Sequence, residues 1–216
     1  MGGALILAAA GAALAVLLAV RLWVVLRPRA AVPRRSLSLL VVAGSGGHTT
    51  EILRLLETLS DAYSPRHYVI ADTDEMSAHK INSFELNRVD QNPSTTFPEY
   101  HIHRIPRSRE VQQSWPSSAL STLYSLWFSF PLTHRVKPDL VLCNGPGTCV
   151  PICVSALLLG ILGIKKVIIV YVESICRVEH LSLSGKILFH LSDYFIVQWP
   201  ALKKKYPKSV YLGRIV

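Results

Sequence analysis

Hydrophobic positions fall into two regimes along the chain. The first 26 residues are apolar almost without a break: 1–20 carry no charge, and the run resumes over 22–26 after Arg21. About 20 such residues in a helix cross the ~30 Å hydrocarbon core of a bilayer, so 1–26 predicts a transmembrane helix. From residue 37 onward, short β-type runs alternate with helical ones. The apolar run 37–43 predicts a strand entering the turn Gly44-Ser45-Gly46-Gly47-His48. Residues 49–59 then place Ile52, Leu55, Leu56 and Leu59 on one helical face. Thr49 or Thr50 is the expected cap, with Glu51 in the first turn, where negative charge suits the helix dipole.

The same reading predicts strands at 67–71, 101–105, 139–143, 166–172, 194–198 and 210–212, and helices at 77–86, 117–136, 148–163, 181–191 and 200–206. Residues 87–99 and 106–116 show no periodicity and predict loops. In 117–136 the aromatics Tyr124, Trp127, Phe128 and Phe130 predict a core-facing stripe, and Pro131 a kink or an end. Segment 166–172 lacks polar alternation apart from Tyr171, the pattern of a strand covered on both faces. Segment 148–163 is strongly apolar, but it is shorter than a span, contains Pro151 and is closed by Lys165-Lys166. It predicts a packed or membrane-dipping helix, with a second span as the alternative.

Alternating strands and helices imply an α/β fold: a Rossmann-like, doubly wound parallel sheet. Ligands of such sheets bind beyond the carboxyl ends of the strands. The informative loops are therefore 44–48, 72–75, 107–110, 144–148 and 173–177. The expected organisation is an anchor over 1–26, a basic juxtamembrane linker over 27–36, and a Rossmann-like domain over 37–216.

Composition sharpens this picture. Half the residues are hydrophobic and mean hydropathy is +0.33, which one spanning segment explains. The formal net charge is +9, which points to an anionic membrane surface or a phosphorylated ligand. No zinc spacing or aromatic nucleic-acid motif is present, so no nucleic-acid partner is expected. Arg21, Arg27, Arg29, Arg34 and Arg35 follow the apolar run and no base precedes it, which predicts a lumenal N-terminus and a cytosolic bulk. A cleaved signal peptide, the alternative, carries its charge before the apolar core. Cys143, Cys149, Cys153 and Cys176 form no C-x-x-C pair and are expected as reduced, small hydrophobic residues.

The chemistry concentrates in the loops. In Gly44-Ser45-Gly46-Gly47-His48 the glycines let the backbone approach an anion at a helix N-terminus. The spacing departs from the dinucleotide fingerprint, whose third glycine would fall at Thr49. His48 is a candidate general base, since an imidazole titrates near neutrality; a capping histidine without chemistry is the alternative. Asn144, Gly145, Gly147 and Thr148 repeat the strand-to-helix placement, as cleft lining or as a tight turn. Arg107 and Arg109 suit a pyrophosphate or a solvated loop. Glu173, Ser174 and Arg177 read either as site contacts or as an ion pair at a helix start. Neither metal nor cofactor is expected.

The stretch Val41-Val42-Ala43-Gly44-Ser45-Gly46-Gly47-His48-Thr49-Thr50-Glu51 carries a resemblance. Asn144-Gly145-Pro146-Gly147-Thr148, Glu173-Ser174-Ile175-Cys176-Arg177-Val178 and Tyr211-Leu212-Gly213 strengthen it. Over essentially its whole length the chain resembles the membrane-anchoring subunit of the eukaryotic UDP-N-acetylglucosamine transferase of dolichol-linked oligosaccharide synthesis. That resemblance implies the N-terminal, acceptor-binding half of a GT-B glycosyltransferase related to glycosyltransferase family 28. A soluble cytosolic subunit would hold UDP-GlcNAc, and this chain alone would be inactive. The pair would act at the endoplasmic reticulum membrane, among its lipids and beside the next mannosyltransferase of the pathway. It would add the second GlcNAc, β-1,4 and with inversion, to GlcNAc-diphosphodolichol.

The resemblance further implies substrate contacts at Gly44, Ser45, Gly46, Gly47, Thr49, Thr50, Arg107, Arg109, Asn144, Gly145, Gly147, Ser174 and Arg177. It leaves His48 and then Glu173 as candidates for the base. The partner interface falls near the C-terminus, at Tyr211, Leu212, Gly213, Arg214, Ile215 and Val216. Two other functions stay open at this point. One is an anchor that only recruits a catalytic subunit. The other is an NAD(P)-dependent membrane oxidoreductase with Asp72 or Asp74 at a ribose, against which stand Thr49 and the lack of a Tyr-x-x-x-Lys pair.

Overall fold

The computed structural model of the chain describes residues 2–27, 36–91, 99–109 and 112–216, with the side chains of 2–7, 91 and 115 set aside. Most of the basic linker, including Arg29, Arg34 and Arg35, lies outside the described residues, as do Glu110 and most of the loop foreseen at 87–99. Seven parallel strands form one sheet: β1 (Leu39–Val42), β2 (Arg66–Ala71), β3 (Tyr100–Ile105), β4 (Leu140–Asn144), β5 (Ile168–Val172), β6 (Tyr194–Val197) and β7 (Val210–Tyr211). Their order is β3-β2-β1-β4-β5-β6-β7. The chain works outward from β1 in one direction and then returns to start again at β4, so the order reverses between β1 and β4. Such a switch point opens a crevice at the carboxyl ends of its two strands. The loops at that crevice are 43–47 and 145–148, the two glycine-bearing turns.

Helices follow the strands. Helices α2 (Gly47–Glu57) and α3 (Glu75–Gln91) cover one face, and their core joins Ile52, Leu56 and Ile81 to Leu39, Val41, Tyr68 and Ile70. Helices α4 (Trp115–Val136), α5 (Cys149–Ile161), α6 (Leu183–Leu188) and α7 (Pro200–Lys205) lie over the other, where Leu40, Val42, Val141, Ile169 and Tyr171 meet Ile152, Leu159, Leu188 and Leu202. Helix α5 is the centre of that layer. It packs on α4 and on the N-terminal helix α1 (Gly2–Leu26), with Val25 buried against Gly160. This is the packed helix rather than a second span, because nine of its residues are buried. At 25 residues and 1.5 Å per residue, α1 is about 37 Å long. Its apolar stretch 8–26 is long enough to cross a membrane and is almost wholly exposed.

Four expectations change. Most of the aromatic stripe of α4 does not face the core: Leu120, Leu123, Tyr124, Trp127 and Phe128 are exposed, Trp127 at 79%, while Phe130 is half-buried and packs against the core. Serine and threonine turn inward instead, with Ser125, Ser129 and Thr133 buried and bonding to backbone carbonyls or to Ser108. Pro131 neither ends nor interrupts α4, which runs on to Val136 and stops at Lys137 in a left-handed conformation. Strand β5 is covered unevenly. On one face Ile169 and Tyr171 are buried; on the other Val172 is buried in the α2/α3-side core while Ile168 and Val170 are half-buried. Cys143, Cys149 and Cys153 are free and buried as expected, but Cys176 is exposed.

Candidate functional site

The two glycine-bearing turns touch. A Cβ added to Gly44 would lie 2.5 Å from Pro146 Cγ, so only a glycine lets the loop after β1 pass the loop after β4. Gly145 has φ +69, and a Cβ there would lie 2.6 Å from His48 Cε1. The His48 ring thus lies against a bare backbone, placed by the first turn of α2 on one side and by Asn144 on the other. Its Nδ1 is 3.4 Å from Asn144 Oδ1.

A cleft of about 860 Å³ opens above this junction. Gly44, Ser45 and His48 line it from the β1 side, and Gly145, Pro146, Gly147 and Thr148 from the β4 side. Arg107, Arg109 and Arg177 stand around it, and no Asp or Glu lines it among the described residues. The arginine loop is fixed to α4: the Ser108 carbonyl accepts from Ser121 Oγ (2.7 Å) and Thr122 Oγ1 (3.2 Å), and Ser108 Oγ pairs with Ser125 Oγ. Arg107 Nη2 also donates to Thr73 Oγ1 at 3.2 Å. The apolar part of the wall is made by Ala119, Leu123, Val150, Leu183 and Ile187, interspersed with Gln112 and the hydroxyl residues Ser118, Thr122, Ser182 and Ser184. Leu123, Leu183 and Ile187 are exposed as well, so the apolar wall of the cleft is continuous with the exposed face of α4. The cleft is cationic at the strand ends and greasy toward the α4 side.

Several expected contacts lie elsewhere. Thr49 is fully buried; its hydroxyl donates to the Gly44 carbonyl and pairs with Ser77 Oγ at 2.6 Å. Thr50 is exposed on the outer side of α2, where it accepts from Lys80. Neither caps α2, whose N-cap is Gly46, with no side-chain cap on the first N–H groups. Gly46 and Gly47 form that uncapped first turn and do not line the cleft itself. Asn144 and Ser174 lie one layer beneath the cleft, buried.

Glu173 is also beneath it and wholly buried. Its carboxylate accepts from the Ser174 N–H (3.2 Å), the Ser182 N–H (3.1 Å) and Ser182 Oγ (3.1 Å). A Cβ at Gly185 would lie 2.1 Å from Glu173 Oε2, so the start of α6 closes directly over the acid. Burial pushes its carboxyl above the usual carboxylate range. No helix begins at 173, and Arg177 turns into the cleft instead of heading one. Glu173 therefore holds 174–185 in shape rather than reaching a ligand. Tyr211 and Leu212 are exposed on the sheet's edge. Gly213 turns there at φ +85, Arg214 stacks over Trp199 at 5.4 Å, and the Ile215 N–H donates to Gln198. Val216, half-buried, ends the chain.

Two residues that the sequence reading did not place at the site enter it. Glu51, read as a dipole-complementing residue of α2, reaches across to Asn144, Ser174 and Ile175. Leu123 of α4, which carried no assignment, lines the cleft.

Comparison with known proteins joins these observations. UDP-N-acetylglucosamine transferase subunit ALG14 of Homo sapiens is 81% identical over 212 residues, covering 98% of both chains. The Yarrowia lipolytica subunit of that name is 41% identical over 218 residues, covering 96% of this chain and 97% of its own. Among solved structures, MurG of Acinetobacter baumannii matches with a TM-score of 0.54 at 16% identity, over 76% of this chain and 42% of that one. This likeness shows the same parallel-sheet fold. The family of Alg14-like oligosaccharide biosynthesis proteins matches residues 39–215, and with these relatives it establishes that the chain belongs to that family.

Proposed function

We propose that this chain is the membrane-anchoring, acceptor-binding subunit of a two-component UDP-GlcNAc transferase. In this reading 1–26 is the anchor, 27–36 a basic linker at the cytosolic surface of the endoplasmic reticulum membrane, and 37–216 the cytosolic domain. The partner is a soluble subunit holding UDP-GlcNAc, and the acceptor is GlcNAc-diphosphodolichol. One observation carries the assignment: a single cleft joins a cationic floor, free of carboxylates among the described residues, to an apolar wall that runs out onto an exposed helix face. A polyprenyl diphosphate sugar has the same division of charge and grease. Its diphosphate suits Arg107, Arg109, Arg177 and the uncapped N–H groups of α2. Its lipid suits Leu123, Leu183 and Ile187. The exposed α4 face then rests in the bilayer that α1 enters.

His48 is the base. The 4-hydroxyl of the acceptor's GlcNAc attacks C1 of the donor sugar, its proton passes to His48 Nε2, and the C1–O bond to UDP breaks with both electrons leaving on UDP. Attack from the opposite face inverts C1 and gives the β-1,4 linkage. The donor subunit seats against the β7 edge, near Tyr211 to Val216.

The test is transfer by membranes carrying this chain, with UDP-GlcNAc and GlcNAc-diphosphodolichol, with and without the soluble partner. Product only with both proteins supports the split enzyme, and His48→Ala in an assembled complex should then lower kcat by about 10²- to 10⁴-fold. An assembled complex that makes no product would sink the assignment. Full activity of His48→Ala would leave this chain as an anchor and acceptor holder whose partner supplies the base.

A further inference from the structure

Beneath the cleft, one carboxylate ties together three segments that are far apart in sequence. Glu51, in the second turn of α2 rather than the first, accepts from Asn144 Nδ2 at 3.0 Å, from Ser174 Oγ at 2.8 Å and from the Ile175 N–H at 3.3 Å. Asn144 is fully buried at the end of β4. Its Nδ2 also points at the Val172 carbonyl, at 3.4 Å. Both amide hydrogens of Asn144 are thereby directed at acceptors that cannot donate in return. An amide has two donors on nitrogen and only acceptor capacity on oxygen. Flipping it would set Oδ1 against the Glu51 carboxylate and against the Val172 carbonyl, and burial makes such unmatched contacts costly. Glu51 therefore fixes which end of Asn144 faces the cleft, and that end is Oδ1.

Oδ1 is the atom that meets His48 Nδ1 at 3.4 Å. An acceptor there requires a proton on Nδ1, and a neutral imidazole has only one N–H. The remaining nitrogen, Nε2, then carries the lone pair. Catalytic histidines are commonly oriented by a third group in this way, with the orienting group here one residue removed.

We propose that Glu51 is a positioning residue that, through Asn144, holds His48 in the tautomer whose free Nε2 takes the acceptor's proton. This inference rests on the reading of His48 as the base. It assigns Glu51 no contact with substrate, so loss of its charge should lower turnover without loosening either substrate.

The experiment uses the full chain in membranes with its partner, GlcNAc-diphosphodolichol and UDP-GlcNAc. Glu51→Gln can donate as well as accept, so it frees the Asn144 amide to turn over. Its kcat should fall about 10-fold or more, with both KM values within about twofold of the unaltered complex. Asn144→Asp alone should also be slow, because two carboxylates then face one another. The pair Glu51→Gln with Asn144→Asp restores only the link to His48, with reversed polarity: the glutamine amide donates, the aspartate accepts from it and from His48, and the Val172 carbonyl and the Ile175 N–H give up their partners, a loss read in stability and not in turnover. That double variant should be faster than either single one. A merely structural Glu51 predicts the opposite, with losses that add. Glu51→Gln at unaltered kcat, or a double variant no faster than the slower single one, overturns the proposal. Should Glu51→Gln fail to assemble, the double variant still decides. His48→Ala separates the two readings: if it is active the base assignment fails, whereas an inactive His48→Ala beside a fully active Glu51→Gln leaves that assignment standing and removes Glu51 from it.

Discussion

Adding one methyl group at Gly145 tests how His48 is held. In the alanine variant the new carbon would lie 2.6 Å from His48 Cε1, 2.7 Å from Nδ1 and 3.4 Å from Ser174 Cβ. Carbon contacts relax at about 3.5–4.0 Å, so the ring must withdraw by about 1 Å. The backbone at φ +69 adds about 1–2 kcal/mol of strain once a side chain is present. Withdrawal carries Nε2 away from the acceptor hydroxyl, and a misplacement of about 1 Å costs on the order of 100-fold in rate. Gly145→Ala should therefore lower kcat about 100-fold while the complex still assembles. Gly163→Ala is the control. It shares the positive φ, +75, but meets nothing nearer than Arg21 at 3.5 Å, far from the cleft. It should lower the melting temperature by a few degrees, as about 1–2 kcal/mol does in a domain of this size, and leave turnover unchanged. Both variants are measured by transferase kinetics and thermal melting of the assembled complex. Gly145→Ala within about threefold of normal kcat, or an equal loss in Gly163→Ala, would refute the account of His48.

Three further outcomes follow from the packing. In Trp23→Phe chains reconstituted with lipids brominated near the headgroup, fluorescence quenching should persist through Trp127, and adding Trp127→Phe should abolish it; unchanged quenching would place the α4 face outside the bilayer. Glu85 is fully buried, 2.8 Å from Arg88 Nη1 and 3.6 Å from Arg66 Nη1, and it accepts from the Tyr68 hydroxyl. Glu85→Gln, which leaves two guanidiniums short of a charge, should cost about 3–5 kcal/mol by denaturant titration, and a loss under 1 kcal/mol would contradict this packing. His67 packs against His101 and His103, and burial and those neighbours hold its pKa down at about 4, from 6.5. On acidification the unfolded chain takes up this proton first, so His67 makes stability fall between about pH 6.5 and pH 4. His67→Gln should flatten that part of the melting-temperature profile, and an unchanged slope would show that other groups carry it.

The succession of strands and the position of the cleft were legible because apolar runs ending in glycine turns locate strand ends, and parallel topology sends those ends to one side. The lining of the cleft was less so. Periodicity ranks the faces of a helix by polarity, but it cannot tell which face meets protein. That is why the aromatic side of α4 read as core, although its serines and threonines fill the interior by bonding their hydroxyls to the backbone. Loop residues carry no period at all. Glu173 sits between a strand and a loop in a stretch that looks functional, yet its direction depends on Ser182 and Gly185, which come close only in the folded chain. Glu51 is hidden for the converse reason: a local rule about helix dipoles accounts for an acid near the start of α2, and its partner Asn144 lies 93 residues away.

The half-covered face of β5 to β7 bears on how much of this protein a cell can hold. Ile168, Val170 and Ile196 stay half-wet there, and each Å² of apolar surface left in water forgoes about 25 cal/mol. Any partner that lies over this face stabilises the chain by mass action, so an orphan copy is the less stable one. Half-covered apolar strands are the kind of surface that chaperones and proteases recognise. Abundance would then follow supply of the covering partner, and surplus chain would be cleared without any dedicated regulator.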